Sequence, residues 1–209
     1  MYTESLMMKL LFKFNLFFLI PLSLFSQTQK FSNLSKYEKR WALCHPFAAL
    51  KAKHLSDTIY KTYNEVKKSN ALDKYENGGK LDAFRHIYAM ALLTQHIKPS
   101  KIKKLGIAHE KGNYLDFLKH RNEEGELPDS ISSVMDLNNN EIGISIGLNN
   151  KTLNPETLKD LILTLIKTSN TCYYIKRNDS GNYILCNGDT IIMNDYKGKW
   201  NIPKCLVHS

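Results

Sequence analysis

Asp82, Arg85 and His86 stand within little more than one helical turn, His109, Glu110 and Asn113 form a second such set, and Asp136, Asn139 and Asn140 a third. At helical spacing Asp82 and His86 are i,i+4, His109 and Asn113 are i,i+4, and Asp136, Asn139, Asn140 and Gly143 follow i, i+3, i+4, i+7, so each set shares one helix face. Those positions carry Leu or Ile on an ordinary core-facing helix. A buried polar group without a partner costs ~1–3 kcal/mol, so three polar stripes imply a mutually satisfied network between helices or the lining of a cleft.

Two chemistries suit these residue types. In a metal-free site, His86 or His109 acts as general base and Asp82, Glu110 or Asp136 orients it, because a carboxylate beside imidazole tunes it for proton transfer near neutral pH. In a metal site, His86, His109 and Asp136 are the candidate ligands of a divalent ion, since imidazole and carboxylate together accept several such ions. The expected catalytic set is therefore His86, His109, Glu110 and Asp136, with Asp82, Arg85, Asn113, Asn139 and Asn140 around it. His109-Glu110 is similar to the start of the zinc-protease helix motif, but that motif needs a second His at i+4, where this chain has Asn113. The noncatalytic alternative is a structural or interaction domain whose paired polar core holds three helices in register.

The elements that must position these groups follow from periodicity and breakers. Pro46 opens a helix running to about Lys68, Asn77-Gly78-Gly79 breaks the chain before a helix over Leu81 to Ile97, and Ser100 to Arg121 reads as the next. Leu127-Pro128-Asp129-Ser130 starts a helix reaching about Gly147, and Asn154-Pro155-Glu156 caps one whose apolar stripe is Leu158, Leu161, Ile162, Leu165 and Ile166. From Thr171 the period becomes two, with turns at Asn178 to Gly181 and at Asn187-Gly188. The expected fold is mainly α: about five helices followed by a small C-terminal β-hairpin or meander. The expected organisation is a signal peptide over residues 1–26, a flexible leader over 27–40, a helical domain over 41–168 and a disulfide-linked β tail over 169–209.

The ordered motifs Asn77-Gly78, Asp82-Ala-x-Arg85-His86, His109-Glu110 and Asp136-x-x-Asn139-Asn140-x-x-Gly143 resemble the signature of an uncharacterised bacterial domain family, found in exported proteins and at the ends of polymorphic-toxin-like chains. Ala89 stands where that pattern often has Trp, and Met90 where a small polar residue is common. The resemblance implies a shared fold region and site, and no particular reaction.

Lys9 and Lys13 precede an apolar run from Phe14 to Phe25, the order of a secretory signal, which predicts a periplasmic or secreted protein; a retained N-terminal anchor is the alternative. Export favours disulfides. A hairpin turning at Asn178 to Ser180 sets Cys172 opposite Cys186, leaving Cys44 to pair with Cys205. The formal charge of +9 is carried by scattered lysines with only four arginines, Arg40, Arg85, Arg121 and Arg177, so no nucleic-acid partner is expected, whereas contact with an anionic envelope surface fits.

Overall fold

Ser35 opens the first helix with a reciprocal cap: its hydroxyl accepts from the Glu38 amide at 3.2 Å while the Glu38 carboxylate accepts from the Ser35 amide at 2.8 Å. In the computed structural model, residues 34–122, 125–169 and 171–208 are described, and Ser35–Ser209 form one compact unit. The expected signal peptide lies outside the described residues. The expected leader is corrected at its end, because helix α1 (Lys36–Cys44) already occupies residues 36–40; the Ser35 and Glu38 side chains supply its first turn with hydrogen bonds.

Among the described residues there are six α-helices, one more than the five expected: α1, α2 (Pro46–Ser69), α3 (Lys80–His96), α4 (Pro99–Leu118), α5 (Ser130–Asn149) and α6 (Pro155–Thr168). Proline sits in the first turn of α2, α4 and α6, where its missing N–H costs nothing. Asp73 accepts from the amides of Lys80 at 2.7 Å and Leu81 at 3.2 Å and so holds the start of α3. Asp129 caps α5 through Ile131 and Ser132, and Asn154 caps α6 through Thr157.

Helix α3 is apolar almost all round, with Leu81, Ala83, Phe84, Ile87, Tyr88, Ala91 and Leu92 buried, which is the pattern of a central helix. One side meets Tyr63 and Val66 of α2 and Leu158, Ile162 and Ile166 of α6; the other, through its own Leu93, joins a cluster with Trp41, Ile102 and Ile144. Each such large apolar side chain adds roughly 1.5–3 kcal/mol on burial, so the two clusters fix α3 firmly between its neighbours. Helix α5 lies against α3 at glycine distance: a Cβ on Gly143 would sit 2.4 Å from the Ile87 carbonyl oxygen, and one on Gly147 would sit 2.3 Å from that of Ala91.

The C-terminal segment is the small antiparallel β tail that was expected, with its hairpins reduced to single bridges and its strand pair formed elsewhere. Strand β1 (Tyr173–Ile175) pairs antiparallel with β2 (Leu206–His208), in the register Tyr173 to His208. Residues 177–190 contribute the isolated antiparallel bridges Arg177 to Tyr183 and Ile184 to Thr190, one across each expected turn, and Met193–Tyr196 form a 3-10 helix after them. This changes the cysteine pairing. The Cys205 amide donates to the Ile184 carbonyl at 3.0 Å, which brings Cys205 beside Cys186, and these two form the disulfide. Cys44 is exposed and Cys172 buried, both unbonded, so neither expected pair, Cys172 with Cys186 or Cys44 with Cys205, is formed. Cys172 is spent on the apolar core, and burial pushes its thiol up to about 11.

Candidate functional site

The polar stripe of α3 faces that of α5. Asp82 reaches back to its own helix start, where its Oδ2 accepts from the Gly78 amide at 2.7 Å, while Oδ1 accepts from Arg85 Nη2 at 2.7 Å and Nε at 3.1 Å. His86, one turn on, has its Nε2 3.5 Å from Asp82 Oδ1 and 3.3 Å from Asp136 Oδ1, and Arg85 Nη2 lies 3.3 Å away. Its other nitrogen, Nδ1, faces the amide oxygen of Asn140 at 3.1 Å. An amide oxygen only accepts, so Nδ1 carries the proton and Nε2 accepts from Arg85 Nη2, with the two carboxylates alongside.

Burial decides the charge of this imidazole. Desolvation, reinforced by the Arg85 guanidinium, brings His86 down to about 4, outweighing the opposing pull of Asp82 and the Asn140 hydrogen bond; His109 adds to the lowering. His86 is therefore neutral at pH 7, flanked by ionisable groups from both helices. Asn140, itself buried, has an Nδ2 without a hydrogen-bond partner among the described residues. Its amide fits because residue 106 is glycine: a Cβ there would stand 2.8 Å from Asn140 Nδ2.

His109 comes from α4 and sits nearer the surface, its side chain 36% exposed. Its Nδ1 lies 3.1 Å from Glu38 Oε1, and its ring centroid is 6.5 Å from that of His86. Burial pulls the Glu38 carboxyl upward, but the hydrogen bond and charge of His109, with the Ser35 amide and hydroxyl, overcome it and leave it below the ordinary carboxylate value. Glu38 was not among the expected site residues. The capping pattern Ser35-x-x-Glu38 was the available signal for a helix there, yet nothing local indicates that Glu38 meets a histidine 71 positions away.

The remaining candidates divide. Glu110 is buried and accepts from Asn113 Nδ2 at 3.4 Å, both on α4. Asn139 turns from His86 to the tail: its amide donates to the Tyr173 carbonyl and its oxygen accepts from the Tyr173 amide, each at 2.9 Å, pinning the start of β1 to α5. Asp82, His86 and Asp136 thus form the tight centre, with Arg85 and Asn140 touching it and His109 with Glu38 beside it. One ligand atom each from Asp82, His86 and Asp136 lie within 4.8 Å of one another; of the expected metal candidates, His86 and Asp136 belong to this trio and His109 does not.

A second polar assembly lies under the tail, bordering a cavity of about 540 Å³. Arg177 stacks between Tyr75 at 4.4 Å and Tyr183 at 3.8 Å and pairs with Glu126, while Lys204 lies over Tyr183 and pairs with Asp129 at 2.6 Å. Two cations meet two carboxylates, so this assembly is charge-balanced and closes the tail onto the helices.

A family model described as a domain of unknown function, DUF6973, matches residues 39–170, which spans α2 to α6 and every member of the central cluster. No curated protein and no solved structure matches the chain.

Proposed function

The chain belongs to the DUF6973 family, a domain of unknown function, and on that premise we propose that it is an exported hydrolase whose general base is His109. The observation that carries this reading is the His109–Glu38 pair: a part-exposed imidazole held at 3.1 Å by a carboxylate, next to a second histidine and the partly exposed guanidinium of Arg85. A carboxylate on Nδ1 fixes the tautomer with the basic lone pair on Nε2. That nitrogen takes a proton from water as the water oxygen bonds to an ester or amide carbon, and returns the proton to the departing group. The substrate class is an envelope-associated lipid, peptide or polymer, and the Cys186–Cys205 disulfide supports an oxidising compartment.

A second reading has its own observation. Asp82, Asp136, Asn139 and Asn140 are all buried, and two of them bond backbone groups, as a scaffold network would. Hydrolysis of ester, peptide, glycan and phospholipid probes by the purified protein, together with thermal melts, separates the two. The enzyme reading expects His109→Ala and Glu38→Gln to lose hydrolysis by roughly 100-fold or more with only a modest fall in Tm. No turnover of any probe by the wild type, with collapse of His86→Ala, His109→Ala and Asp136→Asn by on the order of 3 kcal/mol each, would establish the scaffold instead.

A further inference from the structure

We propose that Asp82, His86 and Asp136 hold a divalent cation, for which Arg85 is the built-in competitor. This site lies beside the His109–Glu38 pair of the hydrolase reading and does not rest on any turnover.

The donor spacing lies near that of an ion site: the three atoms fall within 4.8 Å of one another, so binding needs the two carboxylates to draw in and Arg85 to leave. Zinc-type bonds of about 2.0–2.2 Å place neighbouring donors roughly 3.0–3.6 Å apart, and His86 Nε2 stands 3.3 Å from Asp136 Oδ1 and 3.5 Å from Asp82 Oδ1. The donors come from two helices whose separation is fixed by Gly143 and Gly147 against the α3 backbone, so the distance between them is set by the fold rather than by flexible side chains. The imidazole is also held as metal-binding histidines usually are, with the non-ligating Nδ1–H given to an oxygen, here that of Asn140.

Electrostatics points the same way. An imidazole nitrogen and two carboxylate oxygens converge on one small volume, where positive charge is favoured. Arg85 Nη2 supplies it, at 2.7 Å from Asp82 Oδ1 and 3.3 Å from His86 Nε2. Its side chain is 24% exposed against 3% for Asp82, so the guanidinium approaches from the solvent side and can withdraw there when an ion takes its place. One nitrogen with two carboxylates suits Mn²⁺ or Zn²⁺ better than Ca²⁺, which takes oxygen ligands.

The test uses chelator-stripped full chain at pH 7.5, titrated with Mn²⁺ and followed by the electron paramagnetic resonance of the free ion, with Zn²⁺ competition. One equivalent bound, lost by at least tenfold in Asp136→Asn and tightened by several-fold in Arg85→Gln, is the expected result. Paramagnetic broadening in the wild type, centred on the amides of His86, Asn140 and Asp136, locates the ion even if Asp136→Asn fails to fold. No binding of either ion up to millimolar concentration, broadening centred elsewhere, or weaker binding in Arg85→Gln would overturn the proposal. Binding without hydrolysis of any probe would leave the ion site standing and remove the hydrolase reading; hydrolysis with no binding of either ion would do the converse.

Discussion

His86 is the residue on which the cluster turns, and its burial makes a measurable claim about pH. A histidine depressed from 6.5 to about 4 in the fold gives stability that is fully present above the unfolded value and lost as pH falls through that window, because the unfolded chain takes up a proton that the folded one refuses. The loss in metal-free protein is on the order of 3 kcal/mol between pH 6.5 and 4. Urea unfolding at a series of pH values should show it, and His86→Gln should flatten the profile there. A wild-type curve that stays level from pH 6.5 to 4.5 would contradict the assigned environment. Glu38, lowered by His109 and Ser35, adds its own loss only below about 4.5, so the two contributions separate along the pH axis. At this scale the sequence was informative about residue type but not about direction: i,i+4 spacing put Asp82 beside His86, whereas the outward turn of Asn139 toward Tyr173 depends on where the tail lands.

At the scale of elements, the pairing of α3 with α5 sets the distance between Asp82, His86 and Asp136. Replacing Gly143 or Gly147 by Ala would drive a methyl group into a carbonyl of α3, a clash with backbone that cannot rotate aside, costing about 1–3 kcal/mol or more. Ser145→Ala, on the exposed face of the same helix, should leave Tm unchanged or slightly raised. Equal melting temperatures for Gly143→Ala and Ser145→Ala would mean that the helices can part without cost. Of the five longer helices, four were legible because their starts carry Pro, Asp or Asn, and α3 because the Asn77-Gly78-Gly79 break precedes it. Helix α5 runs past Gly147 to Asn149, beyond the expected end, since this glycine provides close contact with Ala91 instead of terminating the helix. Helix α1 was missed because a nine-residue helix has too few turns for its periodicity to stand out from a polar leader.

For the whole molecule, local sequence reasoning placed the turns of the C-terminal segment, each crossed by one antiparallel bridge, but missed its strand pair and its disulfide. Alternating residues and Asn-Gly turns describe hairpins, but Leu206–His208 pairs with Tyr173–Ile175 over a separation that no local pattern encodes, and the cysteines follow that pairing. Cys186–Cys205 spans 19 residues, a loop worth about 3 kcal/mol in the chain-entropy model, and it ties the segment bearing Tyr183 to the segment that carries Lys204 and leads into β2. Export and this pairing are tested together by intact mass of protein from envelope or culture fractions, alkylated under denaturing, nonreducing conditions. The expected species begins near Gln27 and carries two alkyl groups, on Cys44 and Cys172, with a crosslinked peptide joining Cys186 to Cys205. Four alkyl groups would place the chain in a reducing compartment and withdraw support for export, a Cys172–Cys186 peptide would restore the hairpin pairing, and a mass that includes residues 8–26 would show an N-terminus retained as an anchor.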